Sequence, residues 1–357
     1  MFRVGLAGYD LWPHTLAFIR ALEGADSCKI VAVWDEDPED LELLVKHTGA
    51  DGYTNLDDFA NSDIDGGILT VRTSERMAVC KALAAAGKHV LADKPMAMNV
   101  RECEEMIDAC SQAGVKLLAG YNFRYWKTFP LMKRIWDSGE LGEPHHIYCS
   151  YPTGMPTRTE SDKSLASWWT DASATPGGAW FTHADHALDF ARWIFRAEIA
   201  EVMADMRTFV HREFETEDYG VGHYVLTDGS TLIVHSDGIS PGPQSRLDLN
   251  VYGTKGGMAF SWRPKSLLRV WGAPSLGADY VEYEIDDSWD VAMGEMTRAW
   301  VESALNDTEP PITGLDGLRV MEATIASYES SQLAKRVKLR DIQAQADSGS
   351  DVRSGVI

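Results

Sequence analysis

Three consecutive residues, Asp93, Lys94 and Pro95, form the short motif with the most specific chemical meaning in the sequence. An amine at the end of a buried strand can exchange a proton with a substrate hydroxyl. The proline restricts the residue before it and would therefore fix the direction of Lys94. A lone lysine is far more often a solvated surface residue, so this interpretation needs support from other residues. With that support, we predict that Lys94 transfers protons.

A second cluster lies at 177–189, with the sequence GGAWFTHADHALD. Its two glycines allow close approach of the backbone, and His183 and His186 follow at a spacing that places both on one helical face. Imidazole groups transfer protons readily near neutral pH. Together with Asp189, the two histidines could instead hold a divalent metal, although no fourth ligand is evident in the sequence. A buried, hydrogen-bonded structural role remains an alternative for His183.

Two adjacent tryptophans, Trp168 and Trp169, precede this cluster in a stretch rich in small polar residues. Paired tryptophans in a loop suggest a wall that stacks on a sugar ring or faces a nicotinamide, and packing between domains explains them equally well. The chain is acidic overall, but three cations, Lys94, Arg72 and Arg124, could form a local positive site for an anionic substrate.

The elements that must position these residues begin with alternating strand and helix patterns. Runs that are apolar on both faces, such as 2–7 and 66–71, predict parallel strands covered by helices. Ligands of such a sheet bind beyond the carboxyl ends of its strands, near the topological switch point. Five predicted strands are followed there by candidate ligand-binding residues: Gly8, Asp35, Thr70 to Arg72, Asp93-Lys94 and Asn122. We therefore predict a Rossmann-type nucleotide-binding domain over residues 1–122.

The first strand–helix turn departs from the usual glycine pattern of dinucleotide sites. A G-x-G-x-x-G fingerprint that starts at Gly8 has Asp10 in its second glycine position and Pro13 in its third. The second glycine normally lets the backbone approach a pyrophosphate, and a carboxylate there would repel it. Pro13 is compatible with the first turn of a helix. The turn alone is therefore a weak indication of a dinucleotide.

Asp35 ends the second predicted strand. An acidic group at this place accepts hydrogen bonds from the adenosine ribose of NAD and disfavours the 2′-phosphate of NADP. An ordinary turn residue is the alternative, because the segment from Asp35 to Pro38 is rich in turn formers. We favour NAD as the cofactor.

After residue 125 the pattern changes to strands in sequence with few helices between them. Strand patterns recur from 146 to 285, and Asp228-Gly229 is a strong hairpin signal between two of them. Strands without crossover helices form a mostly antiparallel sheet. Helices are predicted at about 127–138, 186–195, 289–305 and 315–334. We predict an α+β domain over 123–340 with a large, open, mostly antiparallel sheet, followed by a disordered tail at 341–357.

The composition excludes several classes of partner. The chain has 357 residues and a formal net charge of −21, so its surface repels nucleic acid and anionic membranes. No N-terminal signal pattern is present, and no apolar segment reaches the roughly 20 residues that cross a bilayer. The five cysteines are scattered, which is typical of free, mostly buried thiols in a reducing compartment. We expect a cytoplasmic protein with a small-molecule partner.

The order and spacing of these motifs resemble the glucose–fructose oxidoreductase and inositol dehydrogenase family (Gfo/Idh/MocA). The resemblance runs from Val4 to about Leu339. Its anchors include VGLAG at 4–8, AGKHVLADKP at 86–95, GYNFRY at 120–125 and GGAWFTHADHALD at 177–189. It implies a Rossmann domain followed by an open, largely antiparallel sheet. It also implies a nicotinamide cofactor and a sugar, cyclitol or related polyol as substrate.

The resemblance also implies roles for particular residues. The family assigns proton transfer to the lysine of E-K-P and to the carboxylate and histidine of D-x-x-x-H. Lys94 and His186 match these positions, whereas Asp93 replaces the glutamate and Thr182 replaces the carboxylate. Asp185 could substitute for the missing carboxylate, but it is one residue away and we expect it to point elsewhere on the helix.

Taken together, the motifs and the resemblance predict an NAD-dependent oxidoreductase that transfers a hydride between the cofactor and a secondary alcohol of a sugar, cyclitol or related polyol, with Lys94 and His186 in proton transfer. The predicted cofactor-binding residues are Gly8, Tyr9, Asp10, Asp35, Thr70, Arg72, Asp93, Lys94 and Asn122, and the predicted substrate residues are Lys94, Arg124, Trp168, Trp169, Thr182, His183 and His186. A metal-assisted isomerase or lyase and an inactive sugar-binding protein are the alternatives. The open sheet face would leave apolar surface in water, so we expect a homodimer or homotetramer.

Overall fold

A computed structural model describes residues 1–10, 12–153, 167–239, 246–262 and 265–339. The tail predicted at 341–357 lies outside these residues. Within the described ranges, no helix combines the length and the apolar character needed to cross a membrane. All five cysteines are free and buried, as predicted.

A six-stranded parallel sheet forms the N-terminal part of the chain. Its strands lie in the order β3-β2-β1-β4-β5-β6, so the chain builds outward from β1 first on one side and then on the other. This is the strand order of a Rossmann fold, with the switch point between β1 and β4. The prediction of the fold is confirmed. The strands are β1 (Phe2–Ala7), β2 (Cys28–Trp34), β3 (Asp51–Tyr53), β4 (Gly66–Leu69), β5 (His89–Asp93) and β6 (Leu117–Gly120).

Among the described residues, five α-helices accompany this sheet: α1 (Trp12–Leu22), α2 (Pro38–Thr48), α3 (Leu56–Ala60), α4 (Arg76–Ala85) and α5 (Val100–Ala113). Local sequence determines where several of them begin and end. The Asp37 carboxylate accepts from the Glu39 backbone N–H at 2.8 Å and starts α2, which ends at Gly49 in the left-handed conformation. The short elements β3 and α3, of three and five residues, were absent from the prediction because such runs show no clear period.

The second sheet has nine strands in the order β14-β13-β12-β11-β7-β10-β9-β8-β15. Every neighbouring pair is antiparallel except β7 and β10, which are parallel. The mostly antiparallel sheet is therefore confirmed. The strands are β7 (Pro144–Pro152), β8 (Ile199–Arg207), β9 (Tyr219–Leu226), β10 (Thr231–Asp237), β11 (Leu247–Gly253), β12 (Gly257–Trp262), β13 (Ser266–Trp271), β14 (Tyr280–Ile285) and β15 (Val337–Lys338).

In the described part of the chain, four further α-helices follow the Rossmann sheet: α6 (Thr128–Asp137), α7 (Phe181–Phe195), α8 (Trp289–Asn306) and α9 (Gly314–Leu333). Helix α8 packs on α1, and α9 packs on both α5 and β8. Just before α9, the backbone N–H of Ala119 donates to the carbonyl of Ile312 at 3.2 Å. The C-terminal helices therefore pack against the Rossmann domain, and one continuous apolar core runs through both parts.

Candidate functional site

The N-terminus of α7 is held in place by a buried carboxylate. Glu217 accepts from the backbone N–H groups of Gly178 at 2.8 Å, Trp180 at 2.9 Å and Phe181 at 3.2 Å. A side chain at Gly178 would collide with the carbonyl oxygen of Glu217, and one at Gly177 would collide with the Tyr328 hydroxyl. The two glycines therefore serve this packing. Because Glu217 holds the backbone here, α7 starts at residue 181 rather than at about 186 as predicted.

Helix α7 and the end of β5 form one wall of a cavity that is partly open to solvent. Predicted site residues from distant segments meet here, and residues that the sequence analysis did not single out join them. The lining residues are His14, Lys94, Pro95, Tyr151, Trp168, Trp169, Thr182, His183, His186 and Trp289. None of these residues carries a carboxylate.

Lys94 is buried at the carboxyl end of β5, where its ammonium group donates to the backbone carbonyl of Thr182. The Thr182 hydroxyl donates to the carbonyl of Gly178, just before α7, at 3.0 Å. The fully buried Arg76 guanidinium donates to the carbonyls of Asp93, at 2.9 Å, and Pro95. Arg76 therefore holds the backbone on both sides of Lys94, a role that the sequence analysis missed.

Behind Lys94, the Asp93 side chain is fully buried and contacts the His14 ring. Its Oδ2 lies 2.6 Å from Nδ1 of His14, and its Oδ1 accepts from the Lys94 backbone N–H at 2.8 Å. Burial alone would raise the pKa of Asp93, but His14, Arg76 and Lys94 outweigh that effect and lower it. Asp93 is therefore an anion in the folded protein.

The two histidines of α7 lack such a carboxylate. The His186 ring stacks on Phe123 with centroids 3.9 Å apart, and its Nδ1 has no hydrogen-bond partner among the described residues. Burial, with a contribution from the Lys94 charge, lowers the pKa of His186 well below its usual value. The same causes lower the pKa of His183 to about 3. Both imidazoles are therefore neutral at physiological pH.

Two carboxylates of α7 lie outside the cavity wall. Asp185 is buried, its Oδ1 accepts from the His186 backbone N–H at 2.7 Å, and its Oδ2 has no partner in the described part of the chain. Burial raises the pKa of Asp185 to about 7, although Lys94 is close enough to oppose the rise. As expected, Asp185 does not take the place of the missing carboxylate on the wall.

Arg124 was predicted to shape the substrate pocket, but it is absent from the cavity lining. Its guanidinium donates to both carboxylate oxygens of Asp189 and to Asp316 at the start of α9. The Asp189 carboxylate is consequently engaged by a cation instead of facing the two histidines. In the described ranges, no group of three or more potential ligands could hold a metal ion.

The turn after β1 forms the predicted cofactor edge. Gly8 has φ +93°, and a side chain there would collide with Val71 beyond β4. The Tyr9 backbone N–H donates to Asp35 Oδ2 at 3.0 Å, and the Thr70 hydroxyl donates to the Gly8 carbonyl at 2.6 Å. Burial raises the pKa of Asp35 to about 6. These bonds fix the turn against β2 and β4 at the switch point.

Asp10 points toward Arg72 at this edge. Its carboxylate accepts from the Arg72 backbone N–H at 3.2 Å and lies 3.3 Å from the guanidinium. Arg72 also pairs with Glu75 at 3.0 Å. The repulsion expected between Asp10 and a pyrophosphate is therefore reduced by a neighbouring cation. The Asp10 carbonyl accepts from the Trp168 indole at 3.1 Å, which connects this turn to the cavity wall.

Asn122, just beyond β6, is fully buried, and neither polar atom of its side chain has a hydrogen-bond partner in the part of the chain described here. An unpaired buried amide is costly, so its presence indicates a place that a ligand or water completes. A carboxamide such as that of nicotinamide has the matching donor and acceptor. With the positive-φ turn at Gly8 and the Asp35 carboxylate, the residues present fit a dinucleotide along this edge.

Comparison with known proteins agrees with this geometry. Residues 2–121 match the model of the oxidoreductase family with an NAD-binding Rossmann fold, and residues 129–259 match the GFO/IDH/MocA C-terminal domain. The chain is 25% identical over 329 residues to inositol 2-dehydrogenase from Rhizobium meliloti, an alignment that covers 90% of this chain and 94% of that protein. It is 24% identical over 285 residues to myo-inositol 2-dehydrogenase from Thermotoga maritima, with 78% and 81% covered.

Among solved structures, an oxidoreductase domain protein from Kribbella flavida superposes with a TM-score of 0.84 at 20% identity, over 95% of this chain and 100% of that chain. This chain therefore belongs to the Gfo/Idh/MocA family of oxidoreductases, and its N-terminal domain is an NAD-binding Rossmann fold.

Proposed function

We propose that this protein is an NAD-dependent dehydrogenase that interconverts a secondary alcohol of a sugar, cyclitol or related polyol with the corresponding ketone. The observation that carries the proposal is the meeting of Lys94, three histidines and paired tryptophans in one cavity whose wall is bonded to the cofactor turn. The similarity to two inositol dehydrogenases supports the same class of substrate. When bound, NAD supplies the hydride acceptor.

The cofactor would lie along the carboxyl edge of the Rossmann sheet. Asp35 accepts hydrogen bonds from the adenosine ribose, and a 2′-phosphate there would meet a buried carboxyl, which supports NAD over NADP. Asn122 binds the nicotinamide carboxamide. The remaining residues shape the edge or line it: Gly8, Tyr9, Asp10, Thr70, Arg72, Asp93 and Lys94.

The substrate would occupy the cavity between Lys94 and the tryptophans. Trp168 and Trp169 meet edge to face with ring centroids 5.4 Å apart, and such rings pack well against the C–H faces of a sugar or cyclitol. Lys94 contacts the reacting hydroxyl, with its direction fixed by the Thr182 carbonyl. Lys94 and His186 hydrogen-bond the hydroxyl that loses its proton, while His183 orients a second hydroxyl.

Native mass spectrometry of the purified protein, with added NAD and with added divalent metals, tests the cofactor. Saturable NAD binding supports the proposal, whereas metal retention without NAD would favour a metal-assisted isomerase or lyase. A spectrophotometric screen for NADH formation with cyclitols, aldoses and sugar phosphates, beginning with myo-inositol, then tests the reaction. Binding of sugars without NADH formation would favour a binding protein.

The open face of the nine-stranded sheet supports a proposal of self-association. Tyr148, Met203, Tyr252 and Tyr280 are exposed large apolar residues on its strands. A second copy of the chain would remove this surface from water. Size-exclusion chromatography with light scattering should show a dimer or tetramer, and a monomer at all concentrations would contradict this.

A further inference from the structure

Three histidines line the cavity, and they differ in what supports each ring. Nδ1 of His14 lies 2.6 Å from the Asp93 carboxylate, which is fully buried. In the described residues, no carboxylate contacts the ring of His183 or that of His186. An imidazole that gains a proton needs a nearby negative charge when water is excluded. His14 is the cavity histidine that has one.

The surroundings of His14 fix its orientation. It belongs to the first turn of α1, directly after the cofactor turn, and its ring packs on Trp289 of α8 with centroids 5.1 Å apart. Because Asp93 is an anion that also accepts from the Lys94 backbone N–H, the bond to His14 places a proton on Nδ1. Nε2 is thereby left as the ring nitrogen that can accept a proton. The other titratable residues on the cavity wall are Lys94, Tyr151, His183 and His186.

We propose that His14, oriented by Asp93, accepts the hydroxyl proton of the substrate during oxidation, while Lys94 donates a hydrogen bond to the same oxygen. This role rests on the proposed dehydrogenase function. The O–H bond breaks and an N–H bond forms at Nε2 of His14. The electron pair of the O–H bond becomes the second bond of the new carbonyl as the hydride leaves the carbon for NAD. In the reverse direction, the protonated ring returns the proton to the ketone oxygen.

The arrangement matches the general design of an oriented base, in which a carboxylate holds one ring nitrogen so that the other faces the reacting group. Asp93 is a positioning residue in this design because it acts through His14. Asp93 stands where the family motif E-K-P has a glutamate, and its shorter side chain contacts the imidazole of His14 on α1. The sequence alone does not show this pairing, since the two residues are 79 positions apart.

Histidine side-chain NMR of the ¹⁵N-labelled protein tests the dyad without any substrate. The His14 signals are assigned by their loss in His14→Gln. We expect the neutral ring to carry its proton on Nδ1, because the Asp93 carboxylate accepts from that nitrogen. In Asp93→Asn this tautomer preference should weaken. A proton on Nε2 in the neutral ring, or the same tautomer populations in the two proteins, would overturn the proposal.

Kinetics with the alcohol identified by the polyol screen test the catalytic role. His14→Gln should lower kcat about 100-fold with KM changed less than about threefold, as expected for loss of a general base. Imidazole added to His14→Ala should restore part of the rate. His145→Gln, an exposed residue on β7, is the matched control and should leave the rate unchanged.

The outcomes separate this proposal from the proposed function. A kcat for His14→Gln within about threefold of wild type, or no rescue by imidazole in an otherwise folded His14→Ala, overturns the role of His14 alone. The absence of NADH formation by the wild-type protein with every alcohol in the screen overturns both. Circular dichroism of each variant shows whether a loss of rate comes from unfolding.

Discussion

Asp185 should make the protein less stable as the pH rises, and replacing it by asparagine should remove that effect. The carboxyl is buried beneath the cavity wall and its pKa is about 7 because burial disfavours the charged form. In the unfolded chain the ordinary value is 3.8. The pKa of Asp185 is therefore higher in the folded state than in the unfolded state. At a pH between the two pKa values, the carboxyl is protonated in the folded protein and ionised in the unfolded chain. Ionisation of Asp185 therefore does not lower the free energy of unfolding at pH values below 3.8, and lowers it progressively as the pH rises from there toward 7.

The magnitude follows from the two pKa values. Each pH unit between them corresponds to about 1.4 kcal/mol, so the full loss for Asp185 is roughly 4 kcal/mol. The amide of Asp185→Asn keeps an oxygen for the His186 backbone N–H and cannot ionise. Burial also raises the pKa of Glu75 to about 7 and that of Asp35 to about 6, but both groups are unchanged in the variant and cancel in the comparison.

Urea unfolding of nucleotide-free wild type and Asp185→Asn should be measured at several pH values between about 5 and 8. We expect the variant to gain stability over the wild type with rising pH, by roughly 1.4 kcal/mol per unit up to about pH 7, and to keep a constant advantage above it. Asp108→Asn, on the exposed side of α5, should show a constant difference throughout. A pH-independent difference for Asp185→Asn would refute the reasoning.

Three further perturbations test other parts of the site. Lys94→Ala should lower turnover by about 100-fold or more in steady-state assays, and near-normal turnover would remove Lys94 from the chemistry. Arg72→Met should weaken NAD binding about tenfold by calorimetry because it leaves the Asp10 carboxylate without its cation, and the added change Asp10→Asn should recover part of the loss. Glu217→Ala should lower the free energy of urea unfolding by roughly 3 kcal/mol, since three buried N–H groups lose their acceptor, and a loss under about 1 kcal/mol would contradict this.

Much of the site was accessible from sequence because its signals are local. Lys94 ends an apolar run, and His183 and His186 repeat at helical spacing, so their meeting at one strand edge follows from topology. Glu217, Arg76 and His14 were missed because each acts on a segment far away in the chain, where single-sequence patterns carry no information. Glu217 accepts from the Phe181 backbone N–H, which lies 36 positions away in the sequence, and this bond helps to fix the start of α7.

Arg124 also shows that sequence patterns do not reveal contacts between residues far apart in the chain. It follows a strand end at the right place for a ligand, yet its ion-pair partners Asp189 and Asp316 lie 65 and 192 positions along the chain. A cation predicted to meet an anionic substrate is instead paired inside the protein. An arginine is freely available to a ligand only if it has no ion-pair partner within the protein. Such partners can be distant in the sequence, so composition does not reveal them.

The loss of the family carboxylate at Thr182 has a consequence for the charge of the cavity. A carbonyl oxygen fixes the direction of the Lys94 ammonium as a carboxylate would, but adds no negative charge. The cavity wall therefore presents one ammonium, neutral α7 histidines and no carboxylate, within a chain whose net charge is −21. Oxidation of an alcohol builds negative charge on its oxygen before the proton has fully left, and a nearby ammonium stabilises that charge. In the proposed mechanism, Thr182 in place of a carboxylate would therefore strengthen the electrostatic contribution of Lys94, and proton acceptance would pass to His14, which has its own buried anion in Asp93.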